Sequence, residues 1–170
     1  MDHSLPPPDL LQLLQQHAGI LHKVIRLYAD DEEDRRDLYQ EMLYESWRAY
    51  PGFRGASSFS TWLYRVALNT ALTFRKKALR KVRTVDLDHA VQIPDDTSSA
   101  LSPAAEMLYM AIRNLSETDR ALITLHLDGY DHEAISAISG ITKNNVAVKL
   151  HRIKSELENR LKQGDYGRHQ

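Results

Sequence analysis

Between Pro51 and Arg83 the chain carries eight Lys and Arg residues and no Asp or Glu. A merely solvated surface usually mixes signs, so this segment is constrained to present cationic surface to something. From Thr61 to Lys81 the positions Trp62, Leu63, Val66, Ala67, Thr70, Ala71 and Phe74 recur at the spacing of one helix face, which predicts an amphipathic helix with that face turned inward. Arg65, Asn69, Thr73, Lys76 and Arg80 follow at steps of three or four residues and form a second stripe pointing outward. Cations in line with an amide and a hydroxyl suit a phosphate backbone with base edges nearby: charge sets affinity, and the neutral groups discriminate. The alternative is a solvated basic helix face. The absence of acid over the whole stretch favours a ligand.

The formal net charge of −1 and the pI near 6.7 conceal a segregation. Residues 1 to 50 sum to −5, 51 to 85 to +8, 86 to 119 to −6 and 120 to 170 to +2. Two basic regions separated by an acidic one suggest two nucleic-acid contacts. With 170 residues, 42% of them apolar, the chain can build one core or two small ones. It has no apolar run of membrane-spanning length, and the leader MDHSLPPPDL lacks the regions of a signal peptide; the expectation is a cytoplasmic protein without direct membrane contact. There is no cysteine, and the eight histidines are scattered, so neither metal nor cofactor is expected. No nucleophile, base and orienting group share a motif, which argues against an enzyme.

After the disordered leader expected over 1 to 8, Asp9 can cap a helix running through Leu10, Leu13, Leu14, Ile20, Leu21, Val24, Ile25 and Tyr28 to about Ala29, weakened at Gly19. Acidic residues from Asp30 to Asp34 suit the N-terminus of a second helix, which continues through Leu38, Met42, Leu43 and Trp47 until Pro51 ends it. Its face of Asp34, Asp37, Gln40, Glu41 and Glu45 is either solvated or a docking surface. A loop of small residues lies between Phe53 and Phe59, with Ser60 a plausible cap for the basic helix. The first domain thus spans 9 to 83. Thr84 to Leu101, acidic and without sustained period, reads as a flexible linker.

The second domain, 102 to 163, opens at Ser102-Pro103 with a helix through Met107, Leu108, Met110, Ala111, Ile112 and Leu115. Ser116-Glu117-Thr118-Asp119 resembles a capping box and starts a helix that stops at Asp128-Gly129. Asp131 caps a short helix to about Ser139, Gly140 makes a turn, and Thr142 caps a long helix to about Lys162, with a tail from 164 to 170. A short helix, a Gly-containing turn and a longer helix with basic residues outside is the helix-turn-helix plan, although any helical hairpin shares it. The last helix turns out Lys143, Asn144, Ala147, Val148, His151, Arg152 and Ser155. Asn and Arg can address base edges, whereas Ala147 and Val148 offer apolar contact of the kind a thymine methyl accepts. The fold expected is all-α: two small helical domains joined by a flexible linker, the second a helix-turn-helix domain.

Three motifs in this order, DLYQEMLYESWR at 37 to 48, FRGASSFSTWLYRVALNTA at 53 to 71 and LSETDRALITLHLDGYDHEAISAISGITKNNVAVKLHRIKSEL at 115 to 157, resemble the sigma-70 family of RNA polymerase initiation factors in its short, extracytoplasmic function (ECF) form. The resemblance covers roughly residues 10 to 162. It implies that Asp37, Leu38, Gln40, Glu41 and Trp47 grip the beta-prime clamp helices of the polymerase core, with the beta subunit a further partner. It implies capture of a flipped base of the minus-10 promoter element by the Phe53 to Phe59 loop, including Arg54, Ser57 and Ser58, with Asn69 near that base. Arg65, Thr73, Lys76, Lys77 and Arg80 would complete the minus-10 surface, the last three against duplex backbone. Thr142 to Lys154 matches the recognition helix for the minus-35 element, with Thr142, Lys143, Asn144, Ala147, Val148, His151, Arg152 and Lys154 as contacts. The linker would thread the polymerase interior, and an anti-sigma factor would be a further partner. Where many relatives carry Gly-Thr-Val, a basic residue and Ser, this chain has Asn144, Asn145, Val146, Ala147 and Val148, which leaves its promoter sequence open. A two-domain regulator acting without polymerase, and a helical adaptor without DNA contact, are the competing readings. The adaptor leaves the +8 segment unexplained.

Overall fold

The computed structural model describes residues 8–81 and 102–166, with side chains over 9–77 and 102–162. The expected linker, the leader before Pro8, the tail beyond Tyr166 and the side chain of Arg80 fall outside these, while the last helix runs to Tyr166, past the expected start of the tail at 164. The described residues are helical, without strands. The chain divides into two compact units, Met1–Asp95 and Asp96–Gln170.

In the first unit, α1 (Pro8–Gln16), α2 (Ala18–Tyr28), α3 (Glu32–Ala49) and α4 (Phe59–Lys81) follow one another, with a 3-10 turn at Tyr50–Gly52. The single helix expected from Asp9 to Ala29 is broken at His17, whose backbone leaves helical geometry (φ −111°, ψ 18°). A poor helix former at Gly19 makes unwinding cheap there, and the His17 ring packs on Phe59 with centroids 5.4 Å apart. Asp31 caps α3 by accepting from the Asp34 N–H at 2.8 Å, and Glu32, Glu33 and Asp34 place negative charge on its positive end. Helices α2, α3 and α4 pack against one another around Leu21, Val24, Leu27, Tyr28, Leu38, Met42, Leu63, Tyr64, Ala67 and Ala71. Tyr64 and Leu68 are buried too, so the inward face of α4 is wider than its sequence stripe, while Trp62, Val66 and Phe74 are only half-buried.

The second unit comprises α5 (Pro103–Arg113), α6 (Glu117–Leu127), α7 (His132–Ser139) and α8 (Lys143–Tyr166). Each of the first three has a side-chain cap: Ser102 accepts from the Ala105 N–H, Ser116 from Asp119 and Asp131 from Ala134. Gly140 has φ +75°, a left-handed conformation that sharply reverses the chain between α7 and α8 and disfavours a side chain. The core is Ile112, Leu115, Leu122, Leu125, Ile135, Ile138, Val146, Leu150, Ile153 and Leu157. Arg120 is buried among them because its guanidinium donates to the carbonyls of Arg113 and Leu115, which satisfies groups that the end of α5 leaves unpaired.

Candidate nucleic-acid interface

Four aromatic residues between positions 50 and 62 build the base of the first unit's loop. Phe53, Phe59 and Trp62 meet pairwise at 5.2 to 5.9 Å, and Tyr50 lies beside Phe53 and Trp62 at 6.2 and 6.1 Å. The Tyr50 hydroxyl donates to Asp9 Oδ2 at 2.9 Å, a bond that raises its pKa. This block fixes both ends of the loop, while Arg54, Gly55, Ala56, Ser57 and Ser58 stand exposed between them. Gly55 has φ +71°. Phe53 is half-buried and Phe59 buried; Phe59 therefore supports the loop from beneath rather than meeting a ligand as expected. The cap of α4 is Ser58, not Ser60: its Oγ accepts from the Thr61 N–H at 3.2 Å and lies 2.9 Å from Ser60 Oγ and Thr61 Oγ1. The helix begins two residues before Thr61, so the cap shifts with it.

Along α4, Arg65, Asn69, Thr73, Lys76 and Lys77 are exposed. Thr73 Oγ1 donates to the Asn69 carbonyl at 2.9 Å; buried Thr70 does the same to Val66 at 2.8 Å, satisfying its hydroxyl within the helix. Arg75 turns aside and pairs with Asp30 at 2.7 Å. Lys77 Nζ lies 3.7 Å from Glu41 Oε1 on α3, so residues expected to bind different partners are neighbours here.

On α3, Asp37 is exposed and Gln40, Glu41 and Trp47 are half-buried, Trp47 standing edge-on to Tyr44 at 6.0 Å. Leu38 is fully buried. Its place in the expected core-binding set is corrected: an apolar side chain at that register belongs to the inner face of the helix. Asp34 has a raised pKa through burial and through repulsion from Asp31, Asp30 and Asp37.

On α8, Thr142 just precedes the helix and Lys143, Asn144, Val148, His151, Arg152 and Lys154 are exposed, while Ala147 is half-buried. Val148 is 71% exposed. Lys143 Nζ pairs with Glu133 Oε2 at 2.7 Å, which raises the Lys143 pKa. Burial, then Lys154 and His132, lower the pKa of His126. Sequence reading missed Asp119, which it took for part of a capping box. Its carboxylate crosses to α8 and meets Lys149 Nζ at 3.2 Å and Arg152 Nη2 at 3.0 Å. Partners some thirty positions away leave no local signal. The aromatic block was legible only as a density of rings. Among the described residues no cluster of His, Cys, Asp and Glu could hold a metal, and no helix is long and apolar enough to cross a membrane.

The Sigma-70 region 2 family matches residues 13–81 and the Sigma-70, region 4 family residues 105–157. The chain is 30% identical over 155 residues to the ECF RNA polymerase sigma-E factor of Escherichia coli (strain K12), covering 82% of this chain and 81% of that protein. It is 28% identical to the RNA polymerase sigma-H factor of Pseudomonas aeruginosa, covering 90% and 85%. In fold it is similar to the sigma factor RpoE of Bartonella quintana, solved with the anti-sigma factor NepR, at TM-score 0.71 and 21% identity over 92% of this chain and 98% of that one. It is also similar to CnrH, solved with the cytosolic domain of CnrY, at TM-score 0.63 and 19% identity over 91% and 88%. An acid-free helix beside a propped loop in one unit and a helix-turn-helix in the other agree with these matches, and the chain belongs to the ECF group of the sigma-70 family: it is an RNA polymerase sigma factor.

Proposed function

We propose that this sigma factor reads the minus-10 element with the Phe53 to Phe59 loop and α4, reads the minus-35 element with α8, and is held on core polymerase by α3. The observation that carries this reading is the exposed row Arg65, Asn69, Thr73 and Lys76 on α4, beginning next to a loop whose ends are fixed and whose middle is open. Arg65, Lys76 and Lys77 supply phosphate contacts, and Arg54, Ser57, Ser58 and Asn69 receive an unstacked base. Trapping such a base offsets an unstacking cost on the order of a few kcal/mol, so the factor opens DNA by binding energy and leaves the chemistry to polymerase. Asp37, Gln40, Glu41 and Trp47 form the core-binding face. Thr142, just before α8, with Lys143, Asn144 and Lys154 on it, frames Ala147, Val148, His151 and Arg152, which face the bases.

The likeness to RpoE solved with NepR and to CnrH solved with CnrY supports an anti-sigma factor as a further partner, and the protein works in the cytoplasm, where polymerase meets the chromosome. The test is to mix the chain with core polymerase and supercoiled promoter DNA. Run-off transcript that depends on the chain is expected, and duplex binding by the chain alone without transcript would overturn the reading. An inhibitor that co-purifies with the chain or is encoded beside it is expected, and finding neither counts against the anti-sigma partner.

A further inference from the structure

Asp119 is a carboxylate without a local duty. Its backbone N–H takes the Ser116 cap at 3.2 Å, but the reciprocal half of a capping box, a side chain reaching back to the cap residue, is not made. The carboxylate, only 10% exposed, instead receives Lys149 and Arg152 from α8. Stability alone is a poor reason for this arrangement: α6 already packs on α8, with Leu122, Leu125, Leu150 and Ile153 buried, and a carboxylate out of water is dearly desolvated. The Arg152 side chain is 62% exposed although one of its nitrogens is engaged. A guanidinium has five donors in a rigid plane, so fixing one nitrogen sets the direction in which the rest point.

We infer that Asp119 is a positioning residue for promoter recognition: gripping one edge of the Arg152 guanidinium, with Lys149 balancing its charge, it aims the remaining donors outward from α8 toward a base edge. This rests on the minus-35 role proposed for α8. An arginine held in register discriminates among bases, whereas a free one mainly finds phosphate.

The test is selection of promoters by the holoenzyme from a library randomised at the minus-35 box, with the wild type, Asp119→Asn, Arg152→Ala and the double variant, alongside affinity for nonspecific duplex. Asp119→Asn is expected to lower the preference at one or two box positions by roughly 3- to 10-fold, with nonspecific affinity undiminished because a negative charge has gone. The loss should vanish in the Arg152→Ala background. Unchanged preference, or an equal loss without Arg152, overturns the inference. Should Asp119→Asn melt the domain, Arg152→Lys asks the same question: it keeps the charge and gives up the planar fork, and unchanged preference there overturns the inference as well. A holoenzyme that selects no promoter at all, wild type included, refutes the sigma reading instead.

Discussion

The two helices proposed to meet DNA, α4 and α8, handle their charges differently. No acid occurs in the segment that contains α4, and Arg75 and Lys77 find carboxylates only on neighbouring elements, at Asp30 and Glu41. Helix α8 mixes signs: Arg160 and Lys162 are matched within it by Glu156 and Glu158 at 2.6 Å, Lys143 is held by Glu133, and Lys149 and Arg152 by Asp119. A helix with segregated charge attracts phosphate over a broad surface, whereas one most of whose described cations are paired presents few donors in defined directions. The first design suits grasping a backbone while strands part, and the second suits reading a groove.

The largest effects test whether the two surfaces belong to independent cores. Leu63→Ala and Leu150→Ala each remove a fully buried side chain and should cost about 2–5 kcal/mol; calorimetry should show each lowering one transition and sparing the other, and a shift of both together would merge the two units. Next, Asn69→Ala should slow strand opening roughly tenfold, as loss of one good base contact worth about 1–3 kcal/mol implies, with closed-complex binding nearly intact; permanganate footprinting against gel-shift affinity separates the two, and equal loss in both would remove Asn69 from the opening step. Ser58→Ala and Ser116→Ala should each destabilise their own unit by about 1 kcal/mol, read by denaturant melts. Arg65→Ala and Lys76→Ala should each flatten the salt dependence of promoter binding by about one unit of slope, more than Arg152→Ala does; the reverse order would invert the contrast drawn above. The smallest effect concerns pH. His126 has a lowered pKa in the fold, so the unfolded chain takes up its proton first. The second unit should therefore lose a little stability as pH falls through the ordinary value of 6.5 toward the lower folded one, and His126→Gln should remove that dependence.

Most of this architecture can be read from local chemistry. Asp31, Ser102, Ser116 and Asp131 cap helices because an Asp or Ser side chain reaches its own chain's first N–H groups, so three- and four-residue spacing suffices to place the helices. The outward stripes of α4 and α8 are legible for the same reason, and Asn69 and Arg152 are both exposed. What failed in the sequence is whatever depends on a distant neighbour. Nothing near His17 announces that Phe59 will meet it, so α1 and α2 read as one helix. Leu38 resembles a contact in its motif yet faces the core.

The sequence by itself determined that this protein is two helical units with a segregated charge pattern and a sigma-type order of motifs, since periodicity, caps and sign are properties of residues close along the chain. Only the tertiary structure decided that Phe59 props the loop, that Ser58 rather than Ser60 caps α4, and that Asp119 holds Arg152. The contacts of Phe59 with His17 and of Asp119 with Arg152 join side chains far apart in sequence, whereas Ser58 caps α4 over only three residues. The two long-range contacts form only when several elements have already packed, so no short window of sequence can contain them.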